Sequence, residues 1–429
     1  MKTLILIILS CFVLCSCQVS AESEEVSFGE TKFTVSSIAF ICSEVSDVIE
    51  ETTEVKNEDL KGIWVSQFDM HPIFRKGNRQ REKGEFTEMV EKMALNLKRD
   101  GFNTIFLQMR PNGDSMYESE AYPTSKYIAG VYGGVIDYDA ISIYLDIMKQ
   151  HDLSVHAWIN PFRLCKEDEL IGYGKGILFD WYNEGLGKRI EIGDNGILYL
   201  DPAYPEATEL IVRGAKEILE KYDFDGIHLD DYFYPTEFEF NDEAEFDSSE
   251  FSDKGDFRRD NINRTVKALF DASHSYGKIF GVAPAGNIYS LSQGWYVDIY
   301  KWCAEEGFVD YIMPQLYFGF NNKVCPFEKV LSDWTEAVSC ENVKLYIGLS
   351  AAKCELGTLG FEDEHAGETG KLEWQKNKDI LYRSLLEIEN NEKAEGFCIF
   401  TYSSFYNPIT GEDNPNTTEE KYAFCQVIK

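Results

Sequence analysis

Positive charge is what this chain has least of: 41 Lys and Arg face 74 Asp and Glu over 429 residues, a formal charge of −33. A protein that binds nucleic acid must supply cations to the phosphates, so nucleic-acid partners are excluded, and anionic lipid surfaces are disfavoured. Histidine is sparse as well. The six, His71, His151, His156, His228, His274 and His365, include no HxH or HExxH pair, which speaks against a zinc centre. Eight cysteines follow Cys17 (Cys42, Cys165, Cys303, Cys325, Cys340, Cys354, Cys398 and Cys425), and none has the CxxC spacing of a zinc ribbon or a thioredoxin-like site. Several sit in apolar contexts where Cys behaves as a small hydrophobe, and no disulfide pairing follows from the spacing. No GxGxxG follows the first strand-like run. Beyond the N-terminus no apolar run is long enough to span a membrane. No metal or other cofactor is expected.

What is present begins with MKTLILIILSCFVLCSC: one Lys, then an apolar run with the length and position of a signal h-region. Leu14-Cys15-Ser16-Cys17 resembles a bacterial lipobox. Residues 1–17 are therefore expected to be a lipoprotein signal with lipidation at Cys17, placing an exported chain on a membrane, facing the cell envelope or the exterior. Residues 18–59 are acidic and rich in Ser and Thr and read as a tether, with Phe40 to Cys42 as an apolar patch able to pair locally. Residues 60–429 are expected to hold the folded domain, for which 44% hydrophobic and 14% aromatic content suffices.

In that domain eight short apolar runs recur: GIWVSQF from Gly62, TIFLQMR from Thr104, SVHAWIN from Ser154, GIHLDDY from Gly226, IFGVAPA from Ile279, DYIMPQLY from Asp310, KLYIGLS from Lys344 and GFCIFTYS from Gly396. Helical patterns separate them. In PEATELIVRGAKEILEKY, Pro205 suits the first helical position, and Leu210, Ile211, Gly214, Ala215, Ile218 and Tyr222 make one stripe. Strand and helix alternating eight times predicts a (β/α)8 barrel, with an open doubly wound sheet as the alternative. Chemistry then belongs at the C-terminal ends of the strands. There lie Gln108, Arg110 and Asn112; Trp158, Asn160 and Arg163; Asp230, Asp231 and Tyr232; and Gln315 and Tyr317. Period-2 alternation turns Ile227 and Leu229 outward and His228, Asp230 and Tyr232 into the barrel. Long loops, residues 161–203 and 233–257, are expected after the third and fourth strands.

Several blocks, in order, resemble bacterial family-10-like glycosyl-hydrolase lipoproteins: GFNTIFLQMRPNGDSMY with SKYIAG, HAWINPFR, YDFDGIHLDDYFYP, RRDNIN, DYIMPQLYFG, LYIGLS and GFCIFTYSS, covering about Lys61 to Phe405. The resemblance implies a (β/α)8 hydrolase acting on a cell-envelope glycan such as peptidoglycan. Carried over, it points to Asp69, Arg110, Asn160, Arg163, Asp230, Asp231, Gln315 and Tyr317. After the fifth strand the family's aromatic PFG run is replaced by PAGNIYS, Pro284 to Ser290, so that wall of the site differs. A looser likeness to chitinase-like glycosidases places Asp225-Gly226 and Asp230 in register with DGxDxDxE, with Tyr232 where the Glu would stand; this leaves substrate-assisted hydrolysis open.

Glycosidic hydrolysis uses two carboxylates flanking one bond. Asp230 and Asp231 are adjacent in sequence, so the expected pairing joins one of them to a carboxylate from elsewhere: Asp69, Asp114 or Asp201. Asp69 also reads as a turn initiator and Asp201 as an organiser of the helix start that follows it. The catalytic candidates are thus Asp230, Asp231 and Asp69. The substrate-binding candidates are Arg110, Asn112, Trp158, Asn160, Arg163, His228, Tyr232, Gln315 and Tyr317. Arg110 and Arg163 could hold a sugar carboxylate or neutralise the Asp pair. Trp158, Tyr232, Tyr234 and Tyr317 could stack on pyranose faces. The expected partners are a glycan substrate and, through the lipid anchor, a membrane; the chain is expected to act as a monomer. Alternatives are a barrel that binds glycan without cleaving it and a metal-dependent polysaccharide deacetylase, although the nearest approach to the His-x-x-x-His that such deacetylases use is His151 to His156.

Overall fold

The computed structural model describes residues 26–28, 31–33, 59–230, 233–235 and 239–428. The chain divides into two units, Met1–Glu58 and Asp59–Lys429. In the first, the described residues form an antiparallel hairpin, Val26–Phe28 with Thr31–Phe33, inside the stretch read as a tether. The lipobox with Cys17 and the patch Phe40 to Cys42 lie outside the described residues. Among the described residues no helix is long and apolar enough to cross a membrane.

The second unit is a closed parallel barrel whose eight strands come from the eight apolar runs: β1 (Leu60–Val65), β2 (Thr104–Arg110), β3 (Ser154–Ile159), β4 (Gly226–Leu229), β5 (Ile279–Val282), β6 (Tyr311–Ile312), β7 (Lys344–Ser350) and β8 (Ala394–Phe400). Each strand pairs with its sequence neighbours, and β8 pairs with β1 to close the ring. The open-sheet alternative is thereby ruled out.

Period-2 alternation divides the core into two layers. Ile63, Val65, Ile105, Leu107, Ile227 and Leu229 face the helices, whereas Trp64, Phe106, Trp158, Tyr311, Met313 and Cys398 fill the barrel interior. The strands approach so closely at Gly226 that a Cβ there would lie 2.7 Å from the Ile279 carbonyl oxygen and 3.0 Å from His156 Nδ1. Only glycine fits at that point.

Helix α1 (Gln67–Phe74) follows β1 directly. The first apolar run, expected to continue as strand to Phe68, ends at Val65 because the Ser66 hydroxyl accepts from the Phe68 and Asp69 amides and Asp69 reaches back to the Ser66 N–H, a capping box that starts a helix. Helix α2 (Lys83–Arg99), α3 (Ala140–Gln150), α4 (Pro205–Lys221) and α5 (Lys254–Ser275) cover the next faces. In α4, Pro205 stands in the first turn, and the stripe from Leu210 to Ile218, with Tyr222 just beyond, is buried as its spacing predicts. The loop after β3 carries a small antiparallel sheet, with Ile197–Leu200 between Arg163–Lys166 and Ile190–Ile192, and two short helices, Glu167–Tyr173 and Ile177–Asn183. The loop after β2, residues 111–139, is also long and carries the short helix Lys126–Ala129.

Candidate active site

At the C-terminal mouth lies a cleft of about 440 Å³, lined by the polar side chains of Gln67, Gln108, Asn112, Asn160, Arg163, Asp230 and Gln315 and by the aromatic ones of Trp64, Phe68, Tyr127, Trp158, Tyr317 and Phe400. Lys126, Lys166 and Glu169 complete its charged rim.

A relay of amides orients Asp230. The Gln67 backbone N–H donates to Gln108 Oε1 (2.9 Å), Gln108 Nε2 donates to Asn160 Oδ1 (2.8 Å), and Asn160 Nδ2 donates to Asp230 Oδ2 (2.5 Å). A backbone N–H can only donate, so each side-chain amide has one orientation that works, and the relay must deliver a donor to the carboxylate. The three side chains come from the ends of β2, β3 and β4, and all are at least nine-tenths buried. A carboxylate held in this way has a fixed direction before any ligand arrives. Asp231 and Tyr232 lie outside the described residues.

The floor beneath Asp230 is a neutral aromatic layer. Trp64 Nε1 donates to His228 Nε2 (3.0 Å), so the His228 proton sits on Nδ1 and is given to the Tyr311 hydroxyl (2.9 Å), which in turn can donate to His156 Nδ1 (3.1 Å). Burial, with His156 nearby, holds His228 well below the usual histidine range, and burial brings His156 down to about 4. His228, expected to bind substrate, instead lies fully buried in the barrel and does not line the cleft.

Two further candidates, Asp69 and Arg110, also lie off the cleft lining. Asp69 is fully buried away from the cleft: its Oδ2 accepts from the Ser66 N–H, the Ser66 hydroxyl and the Thr401 hydroxyl, and its Oδ1 from the Ser403 N–H. It ties the end of β8 to the start of α1. Arg110 is also buried, donating to the Tyr122 hydroxyl (2.5 Å) and to the carbonyls of Asn160 (3.1 Å) and Pro161 (3.3 Å). It fixes the backbone that carries Asn160.

The other carboxylates weighed as partners of Asp230 also lie off the cleft lining. Asp114 accepts from the Asn112 N–H (2.9 Å), and burial pushes it up to about 6. Asp201 accepts from the Ala203 N–H (2.8 Å), organising the turn before α4, and burial beside Glu245 and Asp242 raises it to about 8. The second carboxylate among the described cleft-lining residues is Glu169, 2.7 Å from Lys126 across the loops after β2 and β3.

The remaining expected residues, Asn112, Trp158, Asn160, Arg163, Gln315 and Tyr317, do line the cleft. Gln315 Nε2 donates to the Ala283 carbonyl (2.9 Å), and Tyr317 stacks on Phe400 at 5.9 Å. Tyr234 does not line it; it is buried, with its hydroxyl on Asp242. Sequence reasoning missed Trp64, Gln67, Phe68, Lys126, Tyr127 and Glu169. Gln67 and Phe68 directly follow β1, where the strand-end rule would have found them, and Lys126-Tyr127 stands in the SKYIAG block. The seven described cysteines are free thiols; Cys165, beside the cleft, is pushed up to about 12 by burial. Among the described residues no three His, Cys, Asp or Glu side chains come together to hold a metal ion.

An oriented carboxylate and a set of aromatic side chains thus meet at the C-terminal mouth of a (β/α)8 barrel, the face on which such barrels carry their sites. The family described as Glycosyl hydrolase-like 10 matches residues 59–364, and the chain belongs to that family. It is 29% identical over 328 residues to glycosyl hydrolase YngK of Bacillus subtilis, covering 69% of this chain but only 61% of that protein. With glycosyl hydrolase DigH of Escherichia coli K12 it shares 28% identity over 335 residues, 70% of this chain and 75% of that one. Its fold resembles the glycoside hydrolase domain of PgaB (BpsB) from Bordetella bronchiseptica, with a TM-score of 0.55 at 11% identity over 86% of this chain and 99% of that domain.

Proposed function

We propose that this protein is a glycosidase that hydrolyses cell-envelope glycan, with peptidoglycan strands as substrate, and that it is held at a membrane by lipidation of Cys17. The observation that carries the reading is Asp230: a buried carboxylate, oriented by Asn160, that opens into a cleft walled by Trp158, Tyr317 and Phe400. Aromatic faces suit the apolar faces of pyranose rings, and the oriented carboxylate suits charge or proton transfer at the anomeric centre. Relatives named as glycosyl hydrolases over most of the barrel support glycoside hydrolysis as the reaction.

The test is mass spectrometry of products from intact and peptide-stripped peptidoglycan, with reducing-end release as the mark of hydrolysis. Asp230→Asn keeps size and hydrogen bonding but loses the charge, and turnover should fall on the order of 100-fold or more. Asp231→Asn made in parallel separates the two neighbours. Parental rates in both variants would move the chemistry away from the end of β4. Acetate release without new reducing ends would identify a deacetylase, and binding without either product a glycan-binding barrel.

A further inference from the structure

Phe68 stands in the first turn of α1 with 66% of its surface exposed, yet it lines the cleft. Its ring meets Tyr127 edge to face at 5.6 Å and 85°. Tyr127 is itself fixed, because His71 Nδ1 donates to its carbonyl (2.9 Å) and the His71 ring meets it edge-on at 5.9 Å. An exposed phenyl ring held by a second aromatic at the lip of a polar cleft is a ready apolar platform.

Beside it, Gln67 is 8% exposed. Its Nε2 approaches the Tyr127 hydroxyl at 3.4 Å, while its Oε1 is buried with no partner among the described residues. In the same cleft the indole N–H of Trp158, a residue 7% exposed, is also buried without one. A buried acceptor and a buried donor left unanswered are costly in isolation, and a ligand that supplies both a donor and an acceptor relieves them. A pyranose carries an apolar face and, on its edge, hydroxyl or amide donors, matching the Phe68 platform and the unanswered Gln67 oxygen beside it.

Resting on the glycosidase reading, we propose that Phe68, Tyr127 and Gln67 form a sugar-binding subsite separate from the one at Asp230, through which the protein prefers longer glycan strands to short fragments. The separation comes from topology. Phe68 follows β1 and Asp230 follows β4, three strands round the ring, so a sugar stacked on Phe68 is a different ring of the strand from the one whose bond meets Asp230.

The experiment uses peptide-stripped peptidoglycan fragments separated by length, with the parent, Phe68→Ala and Phe68→Trp. Phe68 is exposed, so neither substitution threatens the fold. Parent kcat/KM should rise with fragment length. In Phe68→Ala the long-to-short ratio should fall about tenfold, carried by KM, and Phe68→Trp should restore it. An unchanged ratio in Phe68→Ala overturns the subsite while leaving the glycosidase reading in place. If the parent releases no reducing ends from any fragment, the glycosidase reading fails, and calorimetric binding of the longest fragments decides the subsite: weaker binding to Phe68→Ala supports it, and equal binding overturns it.

Discussion

At Asp69 four donors converge on one carboxylate: the Ser66 amide and hydroxyl, the Thr401 hydroxyl and the Ser403 amide. Substituting Asp69→Ala strands several of them in a buried lip, which should lower stability by about 3 kcal/mol in urea unfolding; a change below about 0.5 kcal/mol would mean that the strut does not hold β8 to α1. The sequence shows an Asp at the end of the first apolar run and cannot show Thr401 and Ser403, which reach it only through barrel closure. Arg110 hides its role for the same reason, since two of its three acceptors are backbone carbonyls of the neighbouring strand end and the third is the Tyr122 hydroxyl. Asp230 was legible because alternation along a short strand fixes its direction without reference to distant residues. His228 obeys the same alternation one layer deeper, where inward-facing means buried in the core.

Elements differ in legibility by how their stabilisation is distributed. Each barrel strand is a short apolar run buried on both faces, so the pattern alone marks it, and all eight appear where the runs stand. The decorations on the mouth carry weaker patterns. The three-stranded sheet after β3 uses strands of three or four residues, and the length of the loop after β2 went unforeseen although it brings Lys126 and Tyr127 to the cleft. One ion pair joins these two loops, Lys126 with Glu169 at 2.7 Å, with side-chain exposures of 36% and 22%. A pair so exposed contributes about 1 kcal/mol at most. Lys126→Met should therefore leave global unfolding within that margin while hydrogen exchange quickens in residues 111–139. Unchanged protection there would show that packing of Ile128 and Tyr132, both buried, holds the loop without the pair.

Across the whole molecule, buried titratable groups pull the pH dependence of stability in opposite directions. His156, brought down to about 4, and His228, held still lower, are neutral in the fold and take up protons on unfolding at mildly acid pH. Their contribution is present above the ordinary histidine range and is lost as pH falls through it. Asp114, Asp201 and Glu420, raised by burial to about 6, 8 and 7, behave in the reverse sense. Folded, they keep a proton that the unfolded chain gives up, so their contribution is full below the usual carboxylate range and is lost as pH rises through those values. Asp201 isolates the second effect, because Asp201→Asn retains an acceptor for the Ala203 N–H and removes the titration. Each proton of difference is worth about 1.4 kcal/mol per pH unit. In urea unfolding at pH 5 and pH 8, Asp201→Asn should gain on the parent by about 2 kcal/mol or more at the higher pH. A constant difference between the two would mean that Asp201 is ionised in the fold, with Ala203 and the turn before α4 stabilising the charge that burial beside Glu245 and Asp242 opposes.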